Sequence, residues 1–369
     1  MTLNVSYSEE RDPRTRGRQI GTLHGRQIRQ TLADYGLLFE AAGLDPATVR
    51  DVADDCYQRL DEWAPDLAAE LSGVAAGSDL RLREVAALNC RTEILVRGAI
   101  AGLKECTTAV WLPFGRHPHI LQTWDWIPSL DNFSVLQHIS PDGLSVATFA
   151  ENGVLGKVGV NDAGIGLLFT LMFHTADGTV SGVPMHAVAR RVLDSARSVR
   201  EAIDIARSAP VTASASLTVV GWNGAAADAT TVELCPTGAA EIAATDGFLL
   251  HTNHFLDPSL AAGDRLAAIG DDTLPRLAAL RERTEALTIG TRTEWAHGLV
   301  SHWEDGAPLC AHPRPGAPPM DRWETKMTIG FDLGEPSMLL HEGGPCGVTA
   351  DGWSRFRVPV NRAAERSLR

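Results

Sequence analysis

The sequence has no run of about 18 apolar residues, the length a helix needs to cross a bilayer. Its opening segment, MTLNVSYSEERDPRTRGRQ, is polar and charged where a signal peptide requires an apolar stretch. These absences lead to the expectation of a cytoplasmic protein with no membrane partner. Basic side chains are also in deficit: 33 Lys and Arg stand against 46 Asp and Glu, a net charge of −13. A nucleic-acid partner calls for the opposite balance, so none is expected. The six cysteines, Cys56, Cys90, Cys106, Cys235, Cys310 and Cys346, include no C-x-x-C pair, which suggests neither a disulfide framework nor a zinc ribbon. No G-x-S-x-G elbow, Gly-rich phosphate loop, internal repeat or heptad run is present.

What is present reads as an ordinary globular chain. Hydrophobic residues make up 44% and charged residues 21% of 369 positions, enough to bury a real core. Length alone permits two domains or one large layered domain. The proline-rich segment Pro313–Pro319 is too short for an interdomain linker, so a single layered domain is expected.

From about residue 18 to 102 apolar positions recur at three and four residues, as in Val49, Val52, Ala53, Cys56 and Leu60, which predicts a helical unit. Asp45-Pro46 and Ser78-Asp79 read as helix starts. After Cys106 the pattern changes to short strand-like runs, from TTAVWLP to GIGLLFTLMF, punctuated by Gly, Pro, Asn and Asp. Helical spacing returns from about Met185 to Ala206. Strands follow through GFLLHTNHF, then LPRLAALRERTEAL and TEWAHGLVSHW as helices, then the strands KMTIGFDL and SMLLHEG. Strand blocks alternating with helix blocks predict sheets covered by helices on their outer faces.

Candidate chemistry gathers at three places. Cys106 stands where the helical block ends and the strands begin, followed by Thr107-Thr108. It suits a nucleophile, though a cysteine beside apolar residues is more often a small buried hydrophobe. Asp125 sits between two tryptophans in Gln122-Thr123-Trp124-Asp125-Trp126, either as a turn-capping residue or as a buried carboxylate that needs a cation or donors. In His251-Thr252-Asn253-His254-Phe255 an asparagine lies between two histidines at the end of an apolar run. A strand would set His251 and His254 on opposite faces with no third ligand, so no metal is expected there or at His117-Pro118-His119.

These residues together resemble the isopenicillin N acyltransferase (acyl-CoA:6-aminopenicillanate acyltransferase) family, a branch of the N-terminal-nucleophile hydrolases related to penicillin V acylase and bile salt hydrolase. The resemblance runs from Ala87-Leu88-Asn89-Cys90-Arg91-Thr92-Glu93 through Cys106-Thr107-Thr108, Gln122 to Asp125 and the Gly156 to Gly164 hairpin. It continues through Gly182-Val183-Pro184, His251 to Phe255, Leu309-Cys310-Ala311-His312-Pro313 and Glu324-Thr325.

The resemblance implies an α+β fold, a four-layer αββα sandwich of two antiparallel sheets. It implies self-cleavage between Glu105 and Cys106 into segments 1–105 and 106–369 of one domain, which stay together as a heterodimer. Cys106 becomes an N-terminal nucleophile, Asp125 orients its ammonium, Asn253 donates to the oxyanion, and Arg276 supports the nucleophile. Asn89, Arg91 and Glu93 are expected to hold the helical block against the catalytic sheet. Gln122, Thr123 and Thr170 are expected at the substrate; Thr123 and Thr170 stand where the family usually has asparagine, and Gln122 where the acylase branch has arginine. Glu105 replaces a glycine of the penicillin-making fungal enzyme. The implied substrate is a small-molecule amide, with acyl-CoA as a co-substrate and no other cofactor; a catalytically silent, uncleaved scaffold is the alternative.

Overall fold

The computed structural model describes residues 2–98, 106–270, 272–314, 316 and 322–359. Glu105 and most of the Pro313–Pro319 segment lie outside the described residues.

The N-terminal block contains α1 (Pro13–Ala41), α2 (Pro46–Trp63), α3 (Pro65–Ser78), α4 (Leu82–Asn89) and α5 (Arg91–Leu95). Asp12 and Asp45 cap the first two helices, each accepting backbone N–H groups of the first turn ahead of a proline-initiated helix. Helices α1 and α3 touch backbone to backbone. A Cβ on Gly17 would lie 2.0 Å from Glu70 O, and one on Gly73 would lie 2.1 Å from Arg14 O. Only glycine permits that approach.

The helical pattern was read from about residue 18, and no element was assigned before it. Instead β1 (Thr2–Ser8) precedes a helix that begins at Pro13. A strand at the edge of a sheet can leave one side polar, so composition hides it. It pairs in parallel with β4 (Asn132–Ile139) from Thr2 opposite Asn132 to Ser8 opposite His138.

The remaining strands are β2 (Cys106–Trp111), β3 (His119–Trp126), β5 (Ser145–Glu151), β6 (Val158–Asn161), β7 (Ile165–Met172), β8 (Ser214–Trp222), β9 (Ala227–Cys235), β10 (Gly238–Ala243), β11 (Phe248–His251), β12 (Glu324–Asp332), β13 (Ser337–Glu342) and β14 (Ser354–Arg357). They form two sheets, ordered β1-β4-β5-β6-β7-β8-β9-β10 and β11-β2-β3-β12-β13-β14. Every pairing except β1 with β4 is antiparallel. The strands after Cys106 thus divide between sheets: β2 and β3 belong to one, β4 to β7 to the other.

On the outer face of the larger sheet lie α6 (Met185–Ser195) and α7 (Val199–Ser208), which divide the stretch of helical spacing read from about Met185 to Ala206. Ala196 leaves the helical conformation and Ser198 caps a new start by accepting from Glu201 N. Two short helices, α8 (Pro258–Ala261) and α9 (Arg265–Ala268), follow β11. Then α10 (Thr273–Glu282) and α11 (Arg292–Gly298) cover the smaller sheet. The arrangement is the four-layer αββα sandwich that the resemblance implied.

The main core lies between the sheets and beneath the helical block. At its centre the Trp124 ring meets Phe133 and Phe149 edge to face, with ring centres 5.0 and 5.4 Å apart. Such pairs add about 0.5–1.5 kcal/mol each to the burial of the rings themselves.

Candidate active site

Cys106 is the first residue of β2 and is 4% exposed. Its register explains its neighbours. Trp124 of β3 stands opposite it, and His251 of β11 stands opposite Thr108 on the other side. That second pairing delivers Asn253, two residues past β11, to the start of β2. The Cys106 backbone N–H donates to Asn253 Oδ1 at 3.1 Å, while Asn253 Nδ2 donates to Leu171 O at 2.8 Å.

Helix α10 supplies the cation. Its first residue, Thr273, accepts from the Asn253 backbone N–H at 2.9 Å, which sets Arg276 one turn later against the same asparagine. Arg276, fully buried, donates to Asn253 Oδ1 at 2.8 Å, to Cys106 O at 3.2 Å and to Thr107 Oγ1 at 3.0 Å, and Asp272 receives its Nε at 3.0 Å. The nearby Arg281 is exposed and Arg265 and Arg283 are half-buried. A planar guanidinium can serve three acceptors at once, which an ammonium at that position would not match.

Asp125 is next to the residue paired with Cys106, on β3, and 2% exposed. Its partner across β12 is Thr325, beside a β-bulge that shifts the register between Thr325 and Met327. Burial pushes the Asp125 carboxyl up to about 7, although the Thr325 hydroxyl and the Arg276 charge favour its ionised form. Its Oδ1 has no hydrogen-bond partner among the described residues. The site therefore holds a buried, unsatisfied acceptor on a residue that lines the same cavity as Cys106.

Burial likewise pushes the Cys106 thiol up to about 11; Lys157 opposes this, Asp125 adds to it, and Arg276 opposes it more weakly. Lys157 was read from sequence only as part of the Gly156 to Gly164 hairpin. It is 5% exposed, with Nζ 4.0 Å from the centre of the Trp124 ring and 5.4 Å from that of Trp126. Burial lowers its ammonium to about 8 against the attraction of Glu151. A signal was available: the chain has three lysines, and this one opens a run of otherwise apolar residues.

Cys106, Asp125, Lys157 and Asn253 line one cavity together with Trp124, Trp126, Phe169, Leu171, Arg91, Thr92 and His186. Its volume is about 10 Å³, room for about one water. His186 stacks on Phe169 with ring centres 4.9 Å apart, and both its ring nitrogens lack partners among the described residues. Burial holds its imidazole neutral. A larger cavity of about 510 Å³, between Ile242 and Thr284, does not reach Cys106.

The structure places Gln122, Thr123 and Thr170 outside the lining of the Cys106 cavity. Gln122 Nε2 donates to Thr108 Oγ1, Phe169 O and Thr170 Oγ1, which joins the two sheets two residues farther along β2. Thr123 is buried, and its hydroxyl has no partner among the described residues.

Asn89, Arg91 and Glu93 hold the helical block not to the sheet that carries Cys106 but to the last residue of β5, the loop after it and the start of α6, on the side of the larger sheet. Asn89 Nδ2 donates to Gly153 O and its Oδ1 accepts from Leu155 N, both at 2.8 Å. Arg91 meets Glu151 at 2.7 Å with both side chains buried. Glu93 accepts from the Met185 N–H at 2.8 Å instead of pairing with a cation.

The two His pairs considered from sequence are occupied elsewhere: His251 with Glu233 at 2.8 Å, His119 against Trp295 and His117 against Trp222. Among the described residues the group with metal-ligand spacing is instead His302, Cys310, His312 and Cys346, which the sequence reading passed over because Cys346 is remote in the chain.

The model of a family described as acyl-coenzyme A:6-aminopenicillanic acid acyl-transferase matches residues 115–293. The interval holds Asp125, Asn253 and Arg276 and begins after Cys106. The acyl-coenzyme A:6-aminopenicillanic-acid-acyltransferase 40 kDa form of Emericella nidulans is 27% identical over 245 residues, 64% of this chain and 67% of that protein. Penicillin V acylase from Agrobacterium tumefaciens is similar in structure with a TM-score of 0.46 and 15% identity, covering 68% of this chain and 86% of that one. A mutant conjugated bile acid hydrolase from Clostridium perfringens gives 0.45 and 13%, covering 68% and 92%. Along its middle the chain is thus similar to the family described as acyl-coenzyme A:6-aminopenicillanic acid acyl-transferase.

Proposed function

We propose that the chain is an autoproteolytic N-terminal-cysteine enzyme that takes the acyl group of a small-molecule amide or acyl-CoA onto Cys106 and passes it to water or to an amine. The observation that carries this reading is the convergence of Cys106, Asp125, Asn253 and Arg276 from β2, β3, the residues after β11 and α10 on one end of a single strand.

In the self-cleavage step the Cys106 sulfur attacks the Glu105 carbonyl carbon. The C–N bond breaks, a thioester forms, and the Cys106 nitrogen takes a proton. Water then hydrolyses the thioester, giving the Glu105 carboxylate and a restored thiol. Segments 1–105 and 106–369 remain as a heterodimer.

Cleavage changes the electrostatics of the site. An amide nitrogen has no usable basicity, whereas a free α-amino group titrates near 7.7–8.0 and can take the thiol's proton. The resulting ammonium keeps the hydrogen bond to Asn253 Oδ1 and shares its cavity with Asp125, whose carboxylate it favours. The cation that the thiol lacks at about 11 is then supplied by its own residue.

In turnover the thiolate attacks the acyl carbonyl, and the leaving amine of an amide, or the thiol of coenzyme A, departs with the ammonium's proton. The second Asn253 Nδ2 hydrogen is the donor assigned to the oxyanion; losing such a donor costs about 2.7–4 kcal/mol. Water or an amine attacks the thioester in the last step.

The test is a denaturing gel with an intact-mass spectrum of the purified chain. Pieces of about 11 and about 28 kDa from 39.6 kDa, absent in Cys106→Ala, are expected. A single full-length band after prolonged incubation, with no turnover of amides or acyl-CoA, would overturn the reading in favour of a silent scaffold.

A further inference from the structure

Four side chains outside the Cys106 site converge at the loop before β12 and the turn after β13. One atom each from His302, Cys310, His312 and Cys346 lies within 4.8 Å of all the others. Cys310 Sγ is 3.5 Å from Cys346 Sγ and 3.6 Å from His312 Nε2, and Cys346 Sγ is 3.3 Å from the same nitrogen. Zinc bonds of about 2.3 Å to sulfur and about 2.0 Å to nitrogen, arranged as a tetrahedron, place two sulfurs about 3.8 Å apart and a sulfur and a nitrogen about 3.5 Å apart. All three separations fall within about 0.3 Å of that figure. The sulfurs are too far apart for a disulfide, which needs about 2.0 Å. The fourth corner is His302 Nε2, buried and without a hydrogen-bond partner among the described residues. Its ring centre is 5.0 Å from that of His312.

The backbone builds this cluster. Cys310 N donates to Ser301 O at 3.0 Å, closing the loop that carries His302. Ala311 N donates to Thr325 Oγ1 at 2.9 Å and Ala311 O accepts from Thr325 N at 3.0 Å, which anchors Cys310 and His312 to β12. Trp303 Nε1 donates to His312 O at 3.0 Å. A Cβ on Gly344 would lie 2.5 Å from Cys310 Sγ, so the turn bearing Cys346 passes directly over the sulfur.

We propose that these four residues bind one zinc ion in a closed, structural site. Two thiolates and two imidazoles at tetrahedral spacing match zinc in softness and geometry, and four protein ligands leave no open position for a substrate. Binding releases the two thiol protons to solvent as the two Zn–S bonds form. The ion cross-links the loop before β12 to the turn after β13, independently of any chemistry at Cys106.

The test uses the full chain, purified without chelator. Plasma mass spectrometry is expected to find about one zinc per chain, and exchange for Co²⁺ to give the ligand-field bands of tetrahedral cobalt with near-ultraviolet thiolate charge transfer. Cys346→Ser and His302→Ala, checked for fold by circular dichroism, are expected to lose the zinc, and Cys235→Ser to keep it. A zinc-free chain that gives no cobalt bands, a Cys310–Cys346 disulfide in freshly isolated protein, or undiminished zinc in both variants would each overturn the proposal. Should either variant fail to fold, the cobalt spectrum of the unaltered chain decides alone, its bands supporting the site and their absence overturning it.

Discussion

Lys157 holds its ammonium 4.0 Å from the centre of the Trp124 ring, on the residue directly opposite Cys106 in the β2–β3 ladder. The contact places a cation in an aromatic box next to a buried thiol, where its charge opposes the effect of burial on that thiol. Lys157→Met removes the charge and keeps the length. Because each pKa unit added to the thiol costs about tenfold in thiolate, self-cleavage and single-turnover acylation should slow by at least about tenfold. Rates unchanged from the parent chain would show that Lys157 serves packing alone.

Asp125 should show function and stability in opposition. Its folded carboxyl sits at about 7, above the ordinary 3.8, so between those values the folded chain binds the extra proton and stability falls as pH rises. In the Cys106→Ala chain, which stays uncleaved, Asp125→Asn should therefore melt increasingly above its parent as pH goes from about 4 to about 7, with the gap constant beyond. In the chain that keeps Cys106 the same substitution should lose turnover. Melting curves across pH check the first outcome; a gap that narrows with rising pH would contradict it.

Arg276→Lys retains the charge but not the fork that spans Cys106 O, Thr107 Oγ1 and Asn253 Oδ1. Turnover should fall by about 10²-fold, the scale of one lost catalytic hydrogen bond, while the fold survives. Steady-state kinetics with a circular dichroism control measures this.

Arg91→Met strands the Glu151 carboxylate in the core, a change that typically costs about 3–5 kcal/mol. Adding Glu151→Gln should restore much of the loss, as read by denaturant midpoints. The pair is also pH-dependent. The positive charges of Arg91 and Lys157 outweigh burial and hold Glu151 at about 2, below its ordinary 4.5. Its stabilisation is complete above the ordinary value and drains away as pH falls toward 2.

Much of this was readable from residue order. The switch from helical spacing to strands at Cys106, the odd carboxylate of Asp125 and the bracketed Asn253 all pointed to the place where they now meet. Arg276 could not be chosen over Arg265, Arg281 and Arg283 by pattern, since its burial follows from the Thr273 contact to Asn253, a tertiary event. Nor does periodicity tell which sheet a strand joins, so Gln122 and Thr170, facing each other between the sheets, were expected at the substrate. Cys310 and His312 stand close in sequence, but Cys346 reaches them only through the β12–β13 hairpin.

Because β1 and β4 share one ladder, a scission ahead of Cys106 would not release the first segment. Its strand supplies the edge of the larger sheet, and Glu70 of α3 pairs in the interior with both Arg16 of α1 and Arg190 of α6. Parting the products would strand charges in a dry interior, so it amounts to unfolding them. A gene split at that point would then have to be co-expressed, since mixing the two finished polypeptides could not rebuild the sandwich by simple docking.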